Sequence, residues 1–459
     1  MSNVIKKFTD HVKKSTIKSV INGLNSASDK NLVRFFSLME LITPKTYKEP
    51  IKNFKNSIKK NDPTIRLLRR ILNDIDKNCK DKFLLNFIAQ GVLINQNKKD
   101  EIERQGAFAP TTILVSPTMR CNLSCVGCYA GNYTKKDDMP FATFDKIINE
   151  AKEMGVSFFT VLGGEPLVYP HLFKIFKKHN DAYFQFYTNG ALLTDETVKK
   201  LLELGNVAPM ISIEGWEHET DERRGAGTYK KIMLAMDKLK NAGIPFGVSV
   251  AVTNKNAEII SSDKFMKFLV DKGAMITWWF LYMPVGKEPD IKLMPTPTQR
   301  VLLYKRGKLI RKKYPLFLID FWNDAPLVGG CIAGKAYVHI TPKGDVEPCI
   351  FTHFAADNIN NKSLLEVMKS DYFRELRRRQ PYDENLYMPC MWIDHPEVSR
   401  EVHAKYNVYP THEGADTILN NKEIRAHLDR YSKEVKREYD KIWAQEKNNY
   451  CKNCSKTCK

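Results

Sequence analysis

The chain holds 459 residues, ten cysteines and a formal charge of +19, from 72 Lys and Arg against 53 Asp and Glu. A chain this long buries a large core and has room for two or three domains. No stretch of about 18 apolar residues occurs, so a transmembrane helix is not expected, and residues 1–24 lack the continuous apolar run of a signal peptide. The cysteines therefore read as metal ligands in a reducing cytoplasm rather than as a disulfide framework.

The charge is uneven, with residues 1–100 carrying +12. Residues 1–105 read as a basic helical region. Leu67, Leu68, Ile71, Leu72 and Ile75 recur at helical spacing with Arg66, Arg69 and Arg70 between them. Ile5, Phe8 and Val12 begin a weaker basic stripe, and Pro44, Pro50 and Pro63 punctuate the segment. Such a region can face nucleic acid, an anionic membrane or water, and a solvated basic face is the commonest outcome. Cys79 has no cysteine neighbour and reads as an ordinary free thiol.

The rhythm changes from residue 111. Apolar, β-branched and aromatic runs at 113–116, 158–162, 183–187, 209–213, 246–252 and 277–282 predict six strands. Amphipathic patterns at 141–154, 171–179, 195–204, 229–241 and 262–272 predict the helices between them. The alternation predicts an α/β fold over 106–283, a partial (β/α)6 TIM-like barrel with chemistry at the C-terminal strand ends. Strands this apolar suit a sheet buried on both faces.

Cys121, Cys125 and Cys128 follow the first strand with the spacing Cys-x3-Cys-x2-Cys. Three thiolates can hold three corners of a cubane cluster and leave the fourth iron open to a small molecule. A zinc knuckle is the alternative, although structural zinc prefers a second Cys-x2-Cys pair. Gly163-Gly164-Glu165-Pro166 ends the second strand on the same rim. Two glycines let a backbone approach a ligand without Cβ interference, and Glu165 can accept from an ammonium. Alone, that motif is also a common strand-to-loop turn.

Together, in this order and context, the two motifs resemble the radical S-adenosylmethionine (SAM) enzymes. The resemblance implies a [4Fe–4S] cluster on Cys121, Cys125 and Cys128, with SAM chelating the open iron. It implies a one-electron reductant such as flavodoxin or ferredoxin. SAM is then cleaved to methionine and a 5′-deoxyadenosyl radical, which takes hydrogen from an unactivated C–H bond. Tyr129 matches the family's aromatic after the third cysteine, and Gly163, Gly164 and Glu165 match its SAM-amine motif. Asn189 ends the third strand as in many members. By the same resemblance Ser212 and Ser249 face the SAM ribose, Glu214 stands where the family often has Asp, and Arg224 pairs with the SAM carboxylate. The plain alternatives are an Asn-Gly turn at Asn189 and a strand cap at Ser212.

Residues 284–326 contain Pro284, Pro289, Pro295, Pro297 and Pro315 and read as a linker plus a helix over 298–312. Residues 327–459 carry the other six cysteines. Cys331-x12-Gly344-x4-Cys349 resembles the opening of SPASM extensions, which carry auxiliary iron–sulfur clusters. Strands are expected at 337–340 and around Val346. The family's cysteine-dense run is missing around Cys390, so the extension is degenerate. Cys451, Cys454 and Cys458 end the chain. Six cysteines cannot saturate two four-cysteine clusters. One complete and one partly open cluster, a single cluster, substitution by Asp394 or His395, and zinc in the tail stay open.

The resulting expectation is a radical SAM oxidoreductase, and its substrate is the gap. The basic amphipathic N-terminal region suits an anionic membrane surface, which favours a lipid acyl chain and a cytoplasmic enzyme peripheral to the membrane. The runner-up is a SPASM maturase acting on a peptide or protein side chain. A metal-dependent nucleic-acid-binding module is the alternative of another class.

Overall fold

The computed structural model describes residues 28–42, 45–134 and 136–451. Ile5, Phe8, Val12, Cys454 and Cys458, which carried expectations above, lie outside these residues.

Six parallel strands form where the apolar runs predicted them, each bound within two residues: β1 (Thr112–Thr118), β2 (Phe158–Gly163), β3 (Tyr183–Thr188), β4 (Val207–Ser212), β5 (Gly247–Val252) and β6 (Ile276–Leu281). β7 (Phe317–Asp320) pairs with β6, so the segment read as a linker contributes a strand. β8 (Tyr337–Ile340) adds to β1 in parallel, β9 (Asp345–Glu347) turns back on it, and β11 (Asp357–Asn358) pairs with β9. β10 (Phe354–Ala355) pairs separately with β12 (Tyr409–Pro410). The main sheet runs β11-β9-β8-β1-β2-β3-β4-β5-β6-β7. The sequence boundary at 327 therefore does not divide the sheet.

Side chains alternate across each strand. Phe159 and Val161 of β2 and Phe184 and Phe186 of β3 enter the main core, under the helices Phe141–Glu153 and Leu172–Lys178. Their neighbours Thr160, Leu162, Gln185 and Tyr187 face the inside of the curved sheet, where they line a cavity. The sheet is thus buried against helices on one face only.

The N-terminal helices close the end of the barrel opposite the cysteine loop. Arg70 Nη1 donates to the carbonyls of Ala274 (3.1 Å) and Pro315 (2.7 Å). The Asp76 N–H donates to Gly243 O (2.8 Å), Asn78 Nδ2 to Leu202 O (3.0 Å) and Asn86 Nδ2 to Asn180 O (2.9 Å). These carbonyls belong to successive helix-to-strand turns, which the helices leave without intrahelical partners. Phe83 and Phe87, on a π-helix over Phe83–Ile94, pack their rings on Tyr183 and Phe158 at 5.5 and 4.9 Å.

This docking corrects the membrane reading of the 67–75 stripe. Leu67, Leu72 and Ile75 are buried, and Arg70 is spent on barrel carbonyls. Among the described residues no helix is long and apolar enough to cross a membrane.

The 30-residue helix Lys422–Cys451 lies against Pro297–Lys313 through Tyr431, Val435 and Tyr439. Beneath it Arg300 Nη1 meets Asp394 Oδ1 at 2.5 Å, with both side chains inaccessible. Breaking a buried pair leaves an unpaired charge, at a cost of about 3–5 kcal/mol. Asp394→Ala is expected to lose that much in urea denaturation, and a loss below about 1 kcal/mol would show the pair to be dispensable.

Candidate active site

The loop after β1 is tied down on three sides. The Gly164 N–H donates to Thr118 O (3.0 Å) and the Glu165 N–H to Arg120 O (2.9 Å). Asn189 Nδ2 donates to Asn122 Oδ1 (2.7 Å), and the Val126 N–H to Arg223 O (2.9 Å). Gly163 has φ +115°, and a Cβ there would lie 2.4 Å from Thr118 O; one on Gly164 would lie 2.1 Å from Arg120 O. The glycine pair thus admits the backbone of the cysteine loop, which is a different partner from the ligand expected from sequence. Both glycines still line the cavity.

Cys121, Cys125 and Cys128 face a cavity of about 1190 Å³. Burial pushes the Cys121 and Cys125 thiols up; Arg224 and Arg223 oppose it at Cys125. Burial thus favours the protonated form of these two thiols, and holding a metal centre there would release protons. Among the described residues no three Cys, His, Asp or Glu side chains gather tightly enough to hold a single metal ion. A polynuclear cluster instead takes one thiolate on each iron, spread over one face, and three thiols on one cavity wall fit that need.

The same cavity is lined by Tyr129, Asn189, Ser212, Ser249 and Arg224, all expected from sequence. Ser212 Oγ and Ser249 Oγ lie 3.3 Å apart on β4 and β5, and the Tyr129 hydroxyl lies 3.4 Å from Gly163 O. Sequence reasoning missed Arg223, whose Nε is buried without a partner. The doubled arginine closing the helix Glu217–Arg224 was the available signal.

Two expected cofactor contacts point elsewhere. Glu165 is fully buried and absent from the cavity wall. Its Oε1 accepts from Thr188 Oγ1 (2.8 Å) and the Leu167 N–H (3.2 Å), its Oε2 from the Asn189 N–H (2.9 Å). It joins the ends of β2 and β3 and acts on the cavity through Asn189. Glu214 is also sealed in. It accepts from Arg223 Nη1 (2.6 Å), from Arg224 Nε (2.8 Å) and Nη2 (2.5 Å), and from the Ala251 N–H (3.2 Å). It holds the two guanidiniums at the cavity edge.

Burial pushes Glu165 up to about 7 from 4.5, against the hydrogen bonds from Asn189 and Thr188. A raised folded value favours the protonated form in the fold, so this group's contribution to stability falls as pH rises from about 4.5 to about 7. Glu165→Gln is expected to flatten the pH dependence of stability across that window. An unchanged slope in urea titrations at several pH values would refute it.

Cys331, Cys349 and Cys390 line the same cavity. Burial pushes Cys331 up to about 12, Cys349 to about 11, and Cys390 well above the ordinary range. Tyr337 donates its hydroxyl to Cys349 Sγ at 3.0 Å. Neither Asp394 nor His395 stands in for a fourth thiol. Asp394 Oδ1 takes Arg300 and Oδ2 accepts from the Cys390 N–H (3.0 Å), while His395 Nε2 lies 2.9 Å from Met388 O. Cys451 ends the C-terminal helix.

Family comparison agrees with this arrangement. The Radical SAM superfamily model matches residues 115–265, and the SPASM iron–sulfur cluster-binding domain model matches residues 331–391. Mycofactocin maturase MftC of Mycobacterium tuberculosis is 31% identical over 302 residues, 61% of this chain and 76% of the relative. The chain belongs to the radical SAM superfamily. An AdoMet-dependent heme synthase of Methanosarcina barkeri is 27% identical, over 59% of this chain and 85% of the relative. The fold is that of Streptococcus suis SuiB, solved with its precursor peptide SuiA: TM-score 0.52, 18% identity, 62% of this chain and 70% of that one. A radical SAM enzyme with a SPASM domain uses a [4Fe–4S] cluster, SAM and auxiliary iron–sulfur clusters.

Proposed function

We propose that this radical SAM enzyme is a maturase that modifies a side chain of a peptide or protein. The observation that carries the proposal is the single cavity of about 1190 Å³ shared by both cysteine triads. It is larger than the roughly 300–1,000 Å³ of a small-molecule site, so an extended segment can enter beside SAM. The likeness to a maturase and to an enzyme solved with its precursor peptide supports the same reading.

In this proposal Cys121, Cys125 and Cys128 hold the catalytic cluster, and Cys331, Cys349 and Cys390 supply ligands to an auxiliary one. Bound cluster and SAM supply hydrogen-abstracting radical chemistry, fed by a carrier such as flavodoxin or ferredoxin. The protein orients and encloses. Arg223 and Arg224 offer positive charge to the SAM carboxylate, Asn189 is set by Glu165, and Ser212 and Ser249 offer hydroxyls to the ribose. The barrel wall keeps water from the reacting C–H bond.

The lipid reading rested on the amphipathic N-terminal stripes. The 67–75 stripe is buried against the barrel and the other N-terminal helices, which removes its share of that support. The test uses anaerobically reconstituted enzyme with SAM, dithionite and either a peptide pool or a lipid extract. The maturase reading expects 5′-deoxyadenosine formation stimulated by peptide, with a mass change in the peptide. Stimulation and product formation with lipid alone would overturn it.

A further inference from the structure

Part of the cavity lining is a belt of aromatic rings. Tyr187 of β3, Trp278 and Phe280 of β6, Phe321 after β7 and Tyr337 of β8 all line it. The rings touch in series: Tyr187–Phe280 at 6.0 Å, Trp278–Phe280 stacked at 5.7 Å, Phe280–Phe321 at 5.5 Å and Phe321–Tyr337 at 6.0 Å.

The belt opens at the seam beside β7, the edge strand of the sheet, which pairs on one side only. There Phe317, Leu327 and Val328 are 57%, 70% and 55% exposed, and all three line the cavity. Large apolar side chains clustered at the mouth of a concave site mark a binding surface, whereas single scattered ones do not.

We infer that this seam admits the substrate and that the belt seats a large apolar or aromatic side chain of it, at or beside the residue to be modified. The inference rests on the peptide reading above. Aromatic faces can also attract a cation, but charge in this cavity opposes one. Arg223, Arg224, Lys287 and Lys335 line it. Two carboxylates also line it, but Asp324 is taken by Arg311 at 2.7 Å and Glu103 stands beside Lys99. A lysine or arginine side chain would enter a cavity whose lining is net cationic, while an apolar ring loses only water.

The test uses the full-length reconstituted enzyme and a five-residue peptide with p-benzoylphenylalanine at its centre, flanked by serine and glycine. On irradiation, label is expected on Trp278, Phe280 or the segment 317–328. The same peptide with tryptophan at its centre should compete, and the lysine version should not. Leu327→Asp and Val328→Asp place a charge on exposed positions that tolerate it, and should cut labelling about tenfold, equal to about 1.4 kcal/mol. Leu309→Asp, equally exposed but off the cavity, should leave labelling unchanged, and thermal melts confirm that each variant folds. Label elsewhere, competition by the lysine peptide, or full labelling of both rim variants overturns the inference. Peptide-stimulated SAM cleavage is scored separately. If it persists while the slot fails, the maturase reading survives; if the slot labels but no peptide is ever modified, that reading fails and the slot stands.

Discussion

Replacing Cys121, Cys125 and Cys128 together with alanine is expected to abolish SAM cleavage and to remove about four irons per chain, the content of one cubane. The three thiols lie on one loop, separate in sequence from Cys331, Cys349 and Cys390, which line the same cavity. Backbone hydrogen bonds from Gly164 and Glu165 and the Asn189 side chain hold the loop, so the variant should fold and keep its auxiliary irons. Anaerobic iron analysis and 5′-deoxyadenosine assays on one preparation read both effects. Replacing Cys331, Cys349 and Cys390 should lower iron content as well, with SAM cleavage retained in part. SAM cleavage at the wild-type rate in the 121/125/128 variant would refute the assignment of the catalytic cluster.

The barrel was legible because each strand pairs a core-facing apolar residue with an inward-facing one, and amphipathic helices separate the strands. The cysteine loop and the glycine pair were legible because short-range spacing carries them. Other features depend on contacts between distant segments. Arg70 finds its carbonyls some 200 residues away, so its stripe looks identical whether it meets a membrane or a barrel. β7 is four residues long and follows Pro315, too short to stand out from a proline-rich connection. The helix Lys422–Cys451 did have a signal, since Ile424, Leu428, Tyr431, Val435 and Tyr439 recur at helical spacing. Glu165 and Glu214 show the limit of motif reading. Both carboxylates stand where cofactor contacts were expected, yet each is spent on the protein, and Asn189 and Arg224 reach the cavity in their place.

Glu214 therefore has the second large effect. Its side chain is 1% exposed and faces two guanidiniums that are 16% and 11% exposed. Glu214→Gln keeps the shape and removes the charge, leaving Arg223 and Arg224 buried side by side without a counter-ion. Loss of one partner from a buried pair costs about 3–5 kcal/mol, read as a lower urea midpoint with an unchanged slope. SAM affinity should fall with it, because like charges drive the two guanidiniums apart at the cavity edge. Glu214→Asp should recover part of both, since a shorter carboxylate keeps the charge and loses reach. Removing all three charges separates the two consequences. Glu214→Gln combined with Arg223→Met and Arg224→Met should regain much of the stability, as buried ion pairs replaced by apolar groups often do, while SAM binding stays weak. Recovery of SAM affinity in that triple variant would show that neither arginine serves the cofactor and would return Glu214 to a purely structural role.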